Sequence, residues 1–244
     1  MKISKKVLLV LLLLSSSLLS DNLLVEVDKK LAPGSSEIYK KLINIEPDGT
    51  KKEFLLYQAK KDTDKMVSLF LKPESEKGRA TLRLGENMWL YLPEVGKAIR
   101  VTSMQSVVGG VFNNSDIMRL DFSTEYDIVS QKENPQNSKE IILEVKAKND
   151  TIAYDKLIMI VDKVSITPKK IKCYSSTNML IKTLYYKDIK DFGNGIVRPS
   201  VIETDSPLYR GYKSIMVYGK ITVKEFQDEA FTLENLGKAG SLRR

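Results

Sequence analysis

Histidine is absent from all 244 residues. That single absence removes Ser-His and Cys-His nucleophile pairs, HExxH zinc sites and the commonest metal ligand. Cysteine occurs once, as Cys173, so the chain can form neither an internal disulfide nor a thiolate zinc cluster; a small buried strand residue is the reading for that position. No GxxxxGK[ST], GxGxxG or GxSxG pattern occurs, and phosphate-cradling and nucleophile-elbow chemistry go with them. Neither a cofactor nor a metal is expected. Tryptophan also occurs once, as Trp89, inside the run Gly85 to Val101. There, Met88, Leu90 and Leu92 alternate with Trp89 and Tyr91, which makes a strand apolar on both faces.

Long apolar runs are lacking too, apart from Val7 to Leu19. This run is shorter than the roughly 20 residues a membrane span needs. With Lys2, Lys5 and Lys6 before it and a serine-rich stretch after it, residues 1–20 read as a cleavable secretory signal peptide, and the mature protein as periplasmic. Residues 21–244 read as one domain. The formal charge is +8. Its excess is spread as lysines in "TKKEF", "QAKKD" and "TPKKIKC", which read as solvated strand faces, with attraction to anionic lipid as a sharper alternative. Export argues against a nucleic-acid partner.

Alternation dominates the remainder. Asn22 to Leu31 predicts a short helix, with Leu24, Val27 and Leu31 on one face. Glu37–Glu46 and Lys51–Lys60 flank Pro47-Asp48-Gly49-Thr50, a hairpin turn. Strands follow in "KMVSLFLK", "RATLRL", "NMWLYL" and "AIRV", and, later, in "EIILEVKAK", "YDKLIMIVDK", "PKKIKCYSS", "LIKTLYYKDI" and "KSIMVYGKITV". About ten or eleven strands in one antiparallel sheet would curl toward a barrel. Between Thr102 and Asp127 the alternation fails. Gly109-Gly110 breaks an apolar stretch there, and Ser115 reads as the N-cap of a short helix carrying Ile117, Met118 and Leu120. This stretch is either an ordinary crossover or a mobile lid hinged at the paired glycines, with Val107, Val108, Val111 and Phe112 as apolar cover. Asp116, Asp121 and Asp127 suit caps and loop hydrogen bonds better than paired acid/base chemistry, and no enzymatic activity is expected.

The ordered segments "LFLKPESEKGRATLRLGENMWLYLPEVGKAIRV", "FNNSDIMRLDFSTEYD", "YDKLIMIVDK…TPKKIKCYSS…MLIKTLYYKDIKDF" and "FTLENL" resemble the bacterial outer-membrane lipoprotein-sorting protein family, a LolA-like group, from about Leu69 to Leu236. That resemblance implies a mainly β (α+β) fold: an unclosed antiparallel β-barrel with short capping helices over an apolar cavity. It implies a carrier that binds lipoprotein acyl chains or lipid, between an inner-membrane exporter and an outer-membrane acceptor, and that is a monomer. The alternative it implies is a sensor module that binds lipoproteins or lipids and signals to a partner protein.

Position by position, the resemblance singles out Pro73, Gly78, Asn87, Trp89, Tyr91 and Pro93 as framework, and Lys72, Ser115, Asp116, Tyr126 and Asp127 in or beside the lid region. Together with the apolar segment, the expected lid set is Lys72, Val107, Val108, Gly109, Gly110, Val111, Phe112, Ser115 and Asp116. Leu82, Leu84, Met88, Leu90 and Leu92 are expected to line the cavity. Where the better-known carrier has a lid-facing arginine, this chain has Lys72, which lacks the guanidinium fork; lid closure by that route is therefore doubtful.

Overall fold

The computed structural model describes residues 23–119 and 121–243; the expected signal peptide lies outside them, as does Leu120. Among the described residues the strands are β1 (Ser36–Ile45), β2 (Lys51–Lys61), β3 (Lys65–Lys72), β4 (Ala80–Leu84), β5 (Asn87–Leu92), β6 (Lys97–Val101), β7 (Tyr126–Asn134), β8 (Asn137–Ala147), β9 (Lys156–Asp162), β10 (Pro168–Tyr174), β11 (Leu180–Asp191), β12 (Val197–Asp205) and β13 (Lys213–Val223). They form one 13-stranded sheet in the order β6-β5-β4-β3-β2-β1-β13-β12-β11-β10-β9-β8-β7. Every neighbour pair is antiparallel. The chain thus makes one meander outward from β1 to β6 and another back from β7 to β13. β1 and β13 form the seam, and β6 and β7 are the two free edges of an unclosed barrel.

Local chemistry sets these elements. In the β1–β2 turn Gly49 takes φ +87°, and the Asp48 carboxylate accepts the Thr50 amide at 2.8 Å, the side-chain turn closure that aspartate favours. A helix α1, residues 23–31, buries Leu24, Val27 and Leu31, so its apolar stripe faces the core. Two strands lie beyond the sequence expectation. β7 is an edge strand, exposed along most of its length, and so shows no apolar alternation. β12 contains Pro199, opposite Ile189, and buries Arg198, Ser200 and Thr204, an inverted pattern.

Two principal apolar clusters divide the sheet by face. The concave face of β1, β2 and β8–β13 packs around α1 and around Val107, Phe112, Ile117 and Phe122. A smaller concave cluster joins Met66, Met88, Leu90 and Val101 to Met118. The convex face of β2–β5 is covered by the C-terminal segment, through Phe226, Phe231 and Leu236. That segment contains α4 (Leu233–Leu236) between 3-10 turns. It is tied down by the Tyr57 hydroxyl, which donates to the Leu242 carbonyl at 2.9 Å.

Candidate functional site

Residues 102–125 connect the two free edges, and they do so through the concave interior rather than over it: Gly110 to Met118 are all buried. The segment carries α2 (Asn114–Ile117) and α3 (Phe122–Glu125). Asn113, not Ser115, is the N-cap of α2: its side chain accepts from the Asp116 amide while the Asp116 carboxylate accepts from the Asn113 amide, a reciprocal capping box with aspartate in the third position. Ser115 sits inside the turn.

The barrel wall grips this segment with polar side chains that emerge from apolar strand faces. Lys40 and Gln58 both donate to the Ile117 carbonyl, at 2.9 and 2.8 Å. Arg83 donates to the Met118 carbonyl at 2.9 Å and pairs with Glu125. Lys60 pairs with Asp121 at 2.7 Å, and Lys182 with Asp116 at 2.8 Å. Tyr154 donates to the other Asp116 oxygen at 2.9 Å. Ser214 accepts the Val111 amide at 2.8 Å. From α1, Asp28 accepts the Phe122 and Ser123 amides at 2.7 and 2.8 Å. Burial pushes the Asp28 carboxyl up to about 6 against these bonds, because desolvation disfavours the charged form. Hydrogen bonds to charged groups contribute about 1.5–3 kcal/mol each, so the segment is held by a polar latch in addition to its apolar packing.

Beneath the latch lies an interior cavity of about 40 Å³, bounded by Lys40, Arg119, Arg198, Tyr186, Tyr218 and Asp28 among others. It has room for roughly three water molecules and none for an acyl chain while the segment is in place. No group of three or more His, Cys, Asp or Glu among the described residues could hold a metal ion, and no helix among them is long and apolar enough to cross a membrane.

The fold is shared with solved structures. A LolA superfamily protein from Nitrosomonas europaea superposes with a TM-score of 0.78 at 24% identity, over 88% of this chain and 98% of that one. A protein described as an outer membrane lipoprotein-sorting protein domain, from Vibrio parahaemolyticus, gives 0.76 at 18% identity, over 91% and 99%. A DUF1329 family protein from Desulfovibrio piger gives 0.77 at 18% identity, over 90% and 98%. No curated protein matches the chain in sequence. A family model described as "-like: Uncharacterized protein" matches residues 62–238. The chain belongs to that family, and its fold is LolA-like.

Within this LolA-like frame the residues singled out from sequence fall into separate places. Met88 and Leu90 lie on the concave face with Leu92 packed beside them. Trp89 and Tyr91 pack on the convex face under the C-terminal segment. Leu82 and Leu84 do not share the concave face: the register sets Leu82 opposite Trp89 and Leu84 opposite Asn87, so period two carries both to the convex cluster. Thr81 and Arg83 take the concave positions instead. Gly78 and Pro93 meet at one corner. A Cβ on Gly78, at φ +84°, would stand 3.2 Å from the Pro93 ring, and Pro73 opens the 3-10 turn before it. Asn87 begins β5 and accepts from Arg100.

In the expected lid, Val107, Val111 and Phe112 are buried in the core and Val108 packs against it. Gly109 takes φ +74°. Gly110 is required for a different reason: a Cβ there would lie 2.1 Å from the Asn44 amide oxygen. Val108, at φ +49°, is a β-branched residue in the left-handed region, a strained position. Lys72 is exposed at the end of β3. The carbonyl contacts doubted on its account come from Lys40, Gln58 and Arg83. Asp116, Asp121 and Asp127 have separate partners, in Lys182, Lys60 and Lys148 respectively, and Asp127 is exposed. Tyr126 is buried beside Phe122, with ring centroids 6.4 Å apart.

The latch itself was not expected from the sequence. Lys60 of "QAKKD" is 1% exposed, the opposite of a solvated face. The available signal is its phase: Lys60 continues Phe54-Leu56-Gln58 at period two, as Lys40 falls between Ile38 and Leu42 and Lys182 precedes Leu184 and Tyr186. A cation in phase with an apolar strand face points inward.

Proposed function

We propose that this protein is a non-catalytic periplasmic carrier, which takes up the acyl chains of a lipoprotein, or lipid, in the space the 102–125 segment fills, and moves them from the inner membrane toward the outer membrane. The observation that carries this reading is a barrel interior plugged by a piece of its own chain and held there by a polar latch. Acyl chains gain about 0.8 kcal/mol per buried methylene. Withdrawing Val111, Phe112, Ile117 and Met118 would leave apolar wall of the same kind, with Met88 and Leu90 part of it. Ions and carbonyls released from the latch regain water, which lowers the cost of opening relative to a purely apolar plug. The lipoprotein-sorting description of the Vibrio protein agrees with such cargo. An inner-membrane exporter would load the protein and an outer-membrane acceptor would unload it; the working form is a monomer, exported by the signal at residues 1–20.

Locking the segment tests this. A Cβ at Gly110 falls against the Asn44 side chain, so a disulfide in Asn44→Cys/Gly110→Cys would tie the lid to β1. Native mass spectrometry of periplasmic wild-type protein should find co-purifying lipid or lipoprotein. The oxidised double variant should carry none and recover on reduction. Cargo held equally by the oxidised form, or none held by the wild type, would overturn the reading.

A further inference from the structure

The interior contains more cations than its carboxylates match. Lys60, Arg83 and Lys182 each have an acidic partner, and Arg119 lies 3.6 Å from Asp116. Lys40 and Arg198, both 3% exposed, have no carboxylate in ion-pair range among the described residues. Lys40 spends one donor on the Ile117 carbonyl. Arg198 donates to the Leu31 carbonyl and, through Nε, to the Pro199 carbonyl at 3.1 Å. The two flank one ring, with Lys40 Nζ 5.4 Å and the Arg198 guanidinium carbon 4.1 Å from the Tyr218 centroid. All three line the 40 Å³ cavity. So does Tyr186, whose buried hydroxyl has no hydrogen-bond partner. Unpaired buried charge is costly, and an unsatisfied buried hydroxyl adds to that cost. Both costs would be relieved by one anion in the cavity.

We propose that this cavity holds the anionic head of an acyl lipid, with Lys40 and Arg198 as its counter-charges and the Tyr186 hydroxyl donating to it. The proposal rests on the carrier reading and names its cargo class. A carboxylate, three heavy atoms, matches a space for about three waters, and guanidinium and ammonium donors suit a carboxylate or a phosphate. Ile117 and Phe122 of the movable segment border the same cavity, so a tail attached to the head would run into the volume the segment vacates. The electrostatics agree. Burial, with repulsion from Arg198 and Arg119, holds the Lys40 ammonium down at about 8 despite the attraction of Tyr218. The Tyr218 phenol, though burial raises it, is drawn down to about 8 by Lys40 and Arg198. The positive potential is local to the Tyr218 end of the cavity, where Lys40 and Arg198 stand; at Asp28, on the same lining, burial and the Asp121 carboxylate push the acid up to about 6.

The test compares three C16 ligands, palmitate, hexadecyl phosphate and hexadecanol, for displacement of a fluorescent fatty acid from the full protein. Palmitate should bind at least tenfold more tightly than hexadecanol. Because Lys40 also holds the plug through the Ile117 carbonyl, the comparison is a ratio: Lys40→Met/Arg198→Met should lower palmitate affinity at least tenfold relative to hexadecanol, and Lys40→Arg should retain the wild-type ratio. A preference for hexadecyl phosphate over palmitate would identify the head as a phosphate and sustain the shared anionic chemistry. Thermal melting establishes that each variant is folded; should the double variant not fold, the single Lys40→Met carries the comparison. Equal affinity for palmitate and hexadecanol, or equal losses for both in the variants, would overturn the anion site. The carrier reading would survive that result if lipoprotein still co-purified, whereas a wild type that bound no acyl ligand and carried no lipoprotein would sink both.

Discussion

Lys182 Nζ and Asp116 Oδ2 stand 2.8 Å apart inside the barrel, with side chains 3% and 1% exposed, one from the wall and the other from the plug. Removing Lys182 leaves the buried Asp116 carboxylate with only the more distant Arg119, at 3.6 Å, as counter-charge. Lys182→Met should therefore cost about 3–5 kcal/mol in urea unfolding, and Lys182→Met/Asp116→Asn should recover a measurable part of it. If the loss arose only from side-chain packing, the second substitution would add to the damage.

Asp28 makes the latch's stability depend on pH, in favour of acid. Its folded carboxyl, at about 6, lies above the free value of 3.8, so the folded state binds more protons across that interval. The stability contributed by this group is fully present below about 4 and is lost as pH rises through 6. Asp28→Asn remains neutral throughout. The difference in unfolding free energy between wild type and Asp28→Asn should move in favour of the wild type as pH falls from 7 to 5; a difference that is flat with pH would contradict the assignment.

Gly110 and Asn44 are matched by contact. In Gly110→Ala the new methyl would drive the Asn44 side chain from its bonds with Ser214, at 2.8 Å, and the Val108 carbonyl, at 3.2 Å. A loss of about 1–3 kcal/mol is expected. Adding Asn44→Ala removes the clash, so the two losses should combine to less than their sum in a double-mutant cycle.

The two faces of β5 should separate binding from folding. Leu90→Glu, on the concave face, is expected to abolish acyl-chain binding with a smaller stability loss, because the carboxylate hydrates once the plug moves. Trp89→Ala, on the convex face, should lower stability by about 2–4 kcal/mol and spare binding, since Trp89 is partly rather than fully buried under the C-terminal segment. Calorimetry and the C16 displacement assay read the two effects independently.

Most of the strands could be read because their apolar residues alternate against one wet and one dry face. The expectation gave way where that contrast vanishes. β7 is wet on both faces, and β12 turns arginine, serine and threonine inward around a proline. The site was legible in part, through the failure of alternation after Thr102 and the paired glycines. What stayed hidden was the partner of the plug. Lys40, Lys60 and Lys182 look like surface lysines unless their phase with neighbouring leucines is taken as the stronger signal. Leu82 and Leu84 were misplaced for a related reason. In a sheet covered on both sides, both phases are apolar, and only the β4–β5 register decides between them.

The seam between β1 and β13 has a bearing on how the molecule is made. A chain emerging from its N-terminus can complete the meander β1–β6 early, but the outer surface carrying Trp89, Tyr57 and Leu82 stays bare until residues 226–242 arrive to wrap it, and β1 has no second neighbour until β13 is delivered. Sequence-distant closures of this kind are slow. Until then the first half of the barrel has a bare apolar outer surface and an open strand edge. Both are closed by residues more than 150 positions further along the chain than β1.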